Sequence, residues 1–318
     1  MDEADLTPRQ IEVVECEDCL VLVLGGAGSG KTTTALWAAR AELHRRADPL
    51  ARVAFLTFSR TAVDQISSRS KAALSSLGDR IEISTFHALG FRLVRSFARY
   101  AGFGVDTPDL QSPAQFRLHG RRDGMLLYND LLPLALEVLR SERVRDLFAA
   151  RWPFIICDEF QDTSDEQWQL LDLLRDRSRL LLLADPNQMI YSFLPGVGPQ
   201  RLRQARALAD RVVELEPTSH RDPSGGIPAL AAEVLRRDFS TDPVRTAVQD
   251  GRLTVRSGVN DDDLVGVIGE ELRSAWRAGA RDYGIFGHSN EGVASLGQHL
   301  IEAGIDHVLI GLTAIPLS

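Results

Sequence analysis

The stretch Gly25-Gly26-Ala27-Gly28-Ser29-Gly30-Lys31-Thr32 has the residue types and spacing with the clearest chemistry in this sequence. It fits G-x-x-x-x-G-K-[ST], a loop that cradles nucleotide phosphates. Glycines let the backbone wrap closely, so that N–H groups at the start of the following helix point at phosphate oxygens. In such a loop Lys31 neutralises the β- and γ-phosphates of ATP, the Thr32 hydroxyl ligates Mg2+, and Thr33 carries the cradle into the helix. The same letters also fit a Gly/Ser turn between strand and helix. Composition favours the cradle: of 36 Lys plus Arg, only Lys31 and Lys71 are lysine. A chain that uses arginine almost everywhere has set a compact ammonium where a planar guanidinium does not fit.

A second pair, Asp158-Glu159, ends the apolar run Phe154-Ile155-Ile156-Cys157. An aspartate there can hold magnesium, and a neighbouring glutamate can activate the attacking water. Acidic residues often end strands without any such role, so the continuation Phe160-Gln161-Asp162-Thr163 adds weight. Asp64, Asp162 and Asp165 read as caps and ion-pair partners.

These residues need a frame. Leu20 to Leu24 reads as a buried strand and Thr33 to Glu42 as a helix, while Thr7-Pro8 opens an earlier helix as N-cap and first turn. Further strands are predicted over 52–57, 81–83, 154–157, 180–184 and 211–215, with helices over 59–75 and from Phe86 onward. Such alternation implies a parallel sheet with helices on both faces. Residues 101–147 break the rhythm with a polar stretch, a basic stretch and helix-like apolar spacing from Leu131 to Leu147, and read as a small helical insertion. Glu216-Pro217 and Asp222-Pro223-Ser224-Gly225-Gly226 mark a boundary. Beyond it, strands are predicted at 252–256, 283–287 and 307–310, with helices at 261–279 and 290–303.

A length of 318 residues suggests two domains, and 44% hydrophobic with 25% charged residues is an ordinary globular composition. The net charge of −8 excludes a generally basic nucleic-acid binder but not a local cationic groove. No apolar run approaches the roughly 18 residues of a membrane helix. The acidic start Met1-Asp2-Glu3 is unlike a signal, which argues for the cytoplasm and against a membrane partner. Cys16 and Cys19 form a lone C-x-x-C without a second ligand pair, a weak case for zinc or redox chemistry.

Asp158-Glu159-Phe160-Gln161-Asp162-Thr163 resembles motif II of the UvrD/Rep/PcrA group of superfamily 1 DNA helicases, and further matches follow that family's order. Leu6-Thr7-Pro8-Arg9-Gln10 is similar to its Q motif, Thr57 to Ala62 to motif Ia, and Thr85-Phe86-His87 to the next motif. Asp185 to Tyr191 resembles motif III, and His220-Arg221-Asp222 sits where the family has Tyr-Arg-Ser in motif IV. The resemblance implies that Gln10 reads adenine, that His220 replaces a tyrosine that stacks on it, and that Gln188 and Arg221 report the γ-phosphate. It places Phe58, Phe86, His87, Tyr191 and Phe193 on single-stranded DNA, where stacking is worth about 1–3 kcal/mol per base. The aromatics fit core packing as well, and His87 fits a satisfied structural histidine equally. Phe193-Leu194 stands where relatives commonly have Trp-Arg.

The fold so implied is an α/β P-loop NTPase. Its RecA-like ATP-binding domain comprises residues 1–100 and 148–217, with a helical insertion at 101–147. A partial second RecA-like domain covers 218–318. The sequence ends without motifs V and VI, so the expectation is a DNA-dependent ATPase related to UvrD-type 3'-5' helicases that does not unwind DNA alone. It would be completed by a protein partner. An alternative is a catalytically weak ATP switch in a DNA-processing or defence assembly. A small-molecule kinase would leave Asp158 to Thr163 unexplained.

Overall fold

Along Leu20–Leu24, Val53–Leu56, Phe154–Cys157 and Leu180–Ala184 residues of either parity are apolar, and the fold follows from burying both sets. The computed structural model describes residues 6–46, 48–58, 60–102, 104, 108–120, 122–189, 196–216, 242–251, 254, 256, 258–279, 284–285, 290–302 and 304–307. The chain divides into two compact units, residues 1–239 and 240–318.

In the first unit the order is α1 (Pro8–Glu15), β1 (Leu20–Gly25), α2 (Lys31–Arg45), β2 (Val53–Thr57), α3 (Arg60–Leu74), β3 (Ile81–Thr85) and α4 (Phe86–Ser96). There follow β4 (Asp109–Leu110), α5 (Pro113–His119), β5 (Met125–Leu126), α6 (Leu131–Leu139) and α7 (Glu142–Arg151). Then come β6 (Phe154–Cys157), α8 (Asp165–Leu174), β7 (Arg179–Ala184), α9 (Pro199–Leu208) and β8 (Arg211–Leu215). Six strands form one sheet in the order β3-β2-β6-β7-β1-β8, and every neighbouring pair is parallel. A parallel sheet is covered on both faces, which is why its strands read as unbroken apolar runs.

Parity sorts the core. Leu20, Leu22, Leu56, Ile155, Leu180 and Leu182 face a layer that includes Leu89, Leu93, Leu132, Leu139 and Leu171. Val21, Val23, Phe55, Ile156, Leu181 and Leu183 face the other layer, with Leu36, Ala39, Leu43 and Ile66. Part of the segment 101–147 packs on the main sheet. Leu131, Leu132, Ala135, Val138 and Leu139 of α6, with Val144 and Phe148 of α7, belong to the first of these layers. Leu126 of β5 is buried in the same layer, Leu110 of β4 packs against it, and α5 lies between these two short paired strands in the chain.

In the second unit, helices Asp242–Gln249, Asp261–Arg277 and Asn290–Glu302 are described, and the last two pack together. Of the strands predicted there, residues 254, 256, 284, 285 and 307 are not in strands, and the remaining positions lie outside the described residues. No helix among the described residues is long and apolar enough to cross a membrane.

The back of the first unit is tied by one carboxylate. Glu42, buried near the end of α2, accepts from Arg45 (2.9 Å) and Arg46 (2.6 Å) and pairs with Arg179 of β7. Arg179 also donates to the Cys16 and Asp18 carbonyls, which join α1 to β1. Burial pushes the Glu42 pKa up, but the Arg45 and Arg46 hydrogen bonds and the Arg179 charge outweigh it and hold the carboxyl below its ordinary value. A depressed carboxylate stabilises the fold above its unfolded pKa and loses that contribution as pH falls through the folded value. Glu42→Gln should therefore cost about 3 kcal/mol in denaturant unfolding at pH 7, and the gap to wild type should close as pH falls below 4.5. An unchanged stability at pH 7 contradicts this.

Candidate nucleotide site

Strand order brings the candidate residues together. β6, β7 and β1 are neighbours, so Asp158-Glu159, Asp185 and the glycine loop emerge side by side at one sheet edge. From β1 the chain passes over β7 and β6 to reach β2, and β8 returns on the opposite side of β1. Open α/β sheets bind ligands at such a reversal, outside the carboxyl ends of the strands.

The loop is shaped by contacts that only glycine permits. Gly28 (φ 79°) and Gly30 (φ 81°) are left-handed. A Cβ on Gly30 would meet the Gln10 amide at 2.5 Å, and one on Gly25 the Ser29 hydroxyl at 2.4 Å. Ser29 closes the turn by donating to the Gly26 carbonyl at 2.9 Å. Gly30 caps α2 without any side-chain hydrogen bond to its first N–H groups. That arrangement suits an anion at a helix N-terminus. The Lys31 ammonium donates to the Gly25 (2.6 Å) and Gly26 (3.1 Å) carbonyls and lies 3.8 Å from Asp185. Thr32 and Thr33 are half-buried in the first turn of α2.

Asp158 is 7% exposed. Its N–H donates to the Leu56 carbonyl at 2.9 Å, fixing it against β2, and its carboxylate accepts from the Glu159 N–H at 3.1 Å. Burial, then the Glu159 charge, push its pKa up to about 6, against the pull of that N–H, the Lys31 charge and the Thr32 hydroxyl. Glu159 has φ 51°, the one positive value at a non-glycine among the described residues. An L-residue there is strained by about 1–2 kcal/mol. Its carboxylate accepts from the Gln161 amide at 2.8 Å. Gln188 donates to the Asp185 carboxylate at 2.7 Å, and the Asn187 N–H bonds the same group at 2.9 Å.

Several expectations change. Gln10 is buried and its amide is spent internally: it accepts from the Thr7 N–H at 2.9 Å and donates to the Ser29 carbonyl at 3.2 Å. As placed it braces the loop and shows no open edge to a base. Phe86 is 1% exposed, and its ring packs against Phe58 with centroids 5.9 Å apart, so it is core and offers no face for stacking. His87 is half-buried and stacks on Tyr128 at 4.1 Å, and burial pushes its pKa down. Tyr191, Phe193, His220 and Arg221 lie outside the described residues. At the C-x-x-C, the Cys16 thiol donates to Asp18 and Cys19 is exposed. No cluster of three or more His, Cys, Asp or Glu that could hold a metal occurs among the described residues.

Three residues without an expected role prove central. Gln161 and Asp185 join the ends of β6 and β7, since the Asp185 N–H donates to the Gln161 side-chain amide oxygen at 3.0 Å. Arg201 of α9 is 1% exposed and donates to the Thr163 and Gly196 carbonyls while pairing with Asp165. It thereby locks the segment after Glu159 to the chain beyond the β7 turn.

Residues 10–194 match the AAA domain family. The RecB subunit of the RecBCD enzyme of Mycolicibacterium smegmatis is 39% identical over 33% of this chain and 11% of its own length. The ATP-dependent DNA helicase Rep of Salmonella typhimurium is 28% identical over 62% of this chain and 38% of its own. Among solved structures, the Pif1 helicase of Candida albicans is similar at 12% identity and a TM-score of 0.44, over 87% of this chain and 55% of that one. The chain thus spans well under half the length of the curated relatives it matches. It belongs to the AAA domain family, and within it to the UvrD/Rep type of superfamily 1 helicases, of which it carries the N-terminal region.

Proposed function

We propose that this chain binds ATP with magnesium and hydrolyses it, driven by single-stranded DNA. The observation that carries the reading is the meeting of the glycine loop, Asp158-Glu159 and Asp185 at three neighbouring strand ends. In this reading the uncapped N-terminus of α2 and Lys31 hold the phosphates. The Asp158 carboxylate and the Thr32 hydroxyl, which helps to hold the Asp158 pKa down, are the hard oxygen donors that suit magnesium. When bound there, magnesium neutralises charge on the phosphate oxygens. Glu159 accepts the proton of the attacking water. Gln188 senses the γ-phosphate, and Arg221 stabilises it.

The DNA reading rests on the likeness to Rep, a DNA helicase, and on the positions of Phe58, His87, Tyr191 and Phe193 in the motifs. The domain reading keeps residues 218–318 as part of a second RecA-like domain, and 3'-5' polarity is carried from the UvrD resemblance alone. RecB is a subunit of a larger enzyme, which supports a protein partner for this chain too.

Lys31→Ala should weaken Mg-ATP binding about 10–100-fold, the loss of a charged hydrogen-bonding group of about 1.5–3 kcal/mol, while the thermal midpoint without nucleotide holds. Calorimetric titration decides it, and unchanged affinity in a folded variant removes the assignment. The sequence offers Arg221 as its candidate γ-phosphate arginine, and arginines of that kind supply large factors in rate. A polypeptide of these 318 residues should therefore turn ATP over slowly and leave a tailed duplex paired in a strand-displacement assay. Robust ATP-dependent unwinding by it contradicts this.

A further inference from the structure

Gln161 is wholly buried, yet every polar atom of its side chain is engaged, and with groups of different segments. Its amide nitrogen donates to Glu159 Oε2 at 2.8 Å and makes longer contacts of 3.3 Å to Asp162 Oδ2 and the Gln188 carbonyl. Its amide oxygen accepts from the Asp185 N–H at 3.0 Å. One side chain therefore holds the carboxylate of Glu159 and both ends of the Asp185–Gln188 turn. That turn is closed by its own bonds, Gln188 N–H to the Asp185 carbonyl and Gln188 amide to the Asp185 carboxylate. Asp185 in turn faces Lys31.

We propose that Gln161 is a positioning residue for hydrolysis. It aims the Glu159 carboxylate and makes it one unit with the Gln188 turn, so that a displacement at Gln188 is felt at the base. Glu159 needs such a tether because its backbone is left-handed, a conformation that surrounding contacts must maintain. A base misplaced by about 1 Å can cost on the order of 10²-fold in rate. The inference rests on the ATPase reading above.

Gln161→Glu tests it selectively. The substituted side chain still accepts from the Asp185 N–H, which preserves the link between β6 and β7. When ionised it puts an acceptor in place of the donor to Glu159 and to the Gln188 carbonyl. Rates are compared toward alkaline pH, because a carboxyl this close to Glu159 and Asp162 keeps its proton, and with it a donor, to higher pH. Single-turnover hydrolysis and Mg-ATP affinity are measured for wild type, Gln161→Glu, Glu159→Gln and the double variant. Expected are a rate about 10–100-fold below wild type for Gln161→Glu and Mg-ATP affinity within about threefold, with a double variant no slower than Glu159→Gln alone. A fold-only role predicts parallel loss of affinity and thermal midpoint instead. A wild-type rate in Gln161→Glu, or a loss that multiplies fully on top of Glu159→Gln, overturns the inference while the ATPase reading stands. No hydrolysis by wild type overturns both. Should Gln161→Glu not fold, Gln161→Met, of similar length and without a donor, is held to the same outcomes.

Discussion

Crowded negative charge is the constraint on which this sheet edge depends. Asp158, Glu159 and Asp185 end neighbouring strands, and Asp158 and Asp185 are buried. Buried carboxylates persist only with partners, and each of the three has a different set. Asp185 has Asn187, Gln188 and Lys31; Glu159 has Gln161; Asp158 has a single N–H, the Thr32 hydroxyl and the more distant Lys31 charge. Asp158 is the least compensated, and its pKa of about 6 records that. Lys31, meanwhile, is held by its own loop carbonyls. In the proposed reading a magnesium–phosphate group would answer both demands, with Asp158 holding the cation and Lys31 the phosphate. Strain at Glu159 and under-compensated charge at Asp158 cost stability at the place where the proposed ligand would offset it.

Much of the frame was legible because its signals are local. A parallel strand buried on two faces must be apolar at every position, so Leu20 to Leu24 and Leu180 to Ala184 stand out from the sequence. A glycine-lysine loop between strand and helix is equally plain. The order of the strands in the sheet was not legible from any one of them, and it is that order which juxtaposes Asp158, Asp185 and the loop.

The rest was hidden because it depends on partners far along the chain. Apolar spacing from Leu131 onward announced a helix but not which core it joins, and α6 packs into the main layer. The letters of Gln10 and Phe86 suit ligand contact, yet Gln10 braces Ser29 and Phe86 fills the interior. Arg201 and Glu42 look like ordinary surface charges until Thr163, Gly196 and Arg179 are brought against them. Gln161 lay within a motif-like run, but nothing local says that its amide bridges two strand ends.

The central claim is that this edge both binds ATP and breaks it, with Glu159 as the base. Its most direct test compares Mg-ATP affinity and single-turnover hydrolysis in wild type and Glu159→Gln, with an oligo-dT strand present. The amide keeps the size of the carboxylate and loses its basicity. Affinity should stay within about threefold while the rate falls by about 10²–10⁴. Hydrolysis by a folded Glu159→Gln protein at the wild-type rate would contradict the account.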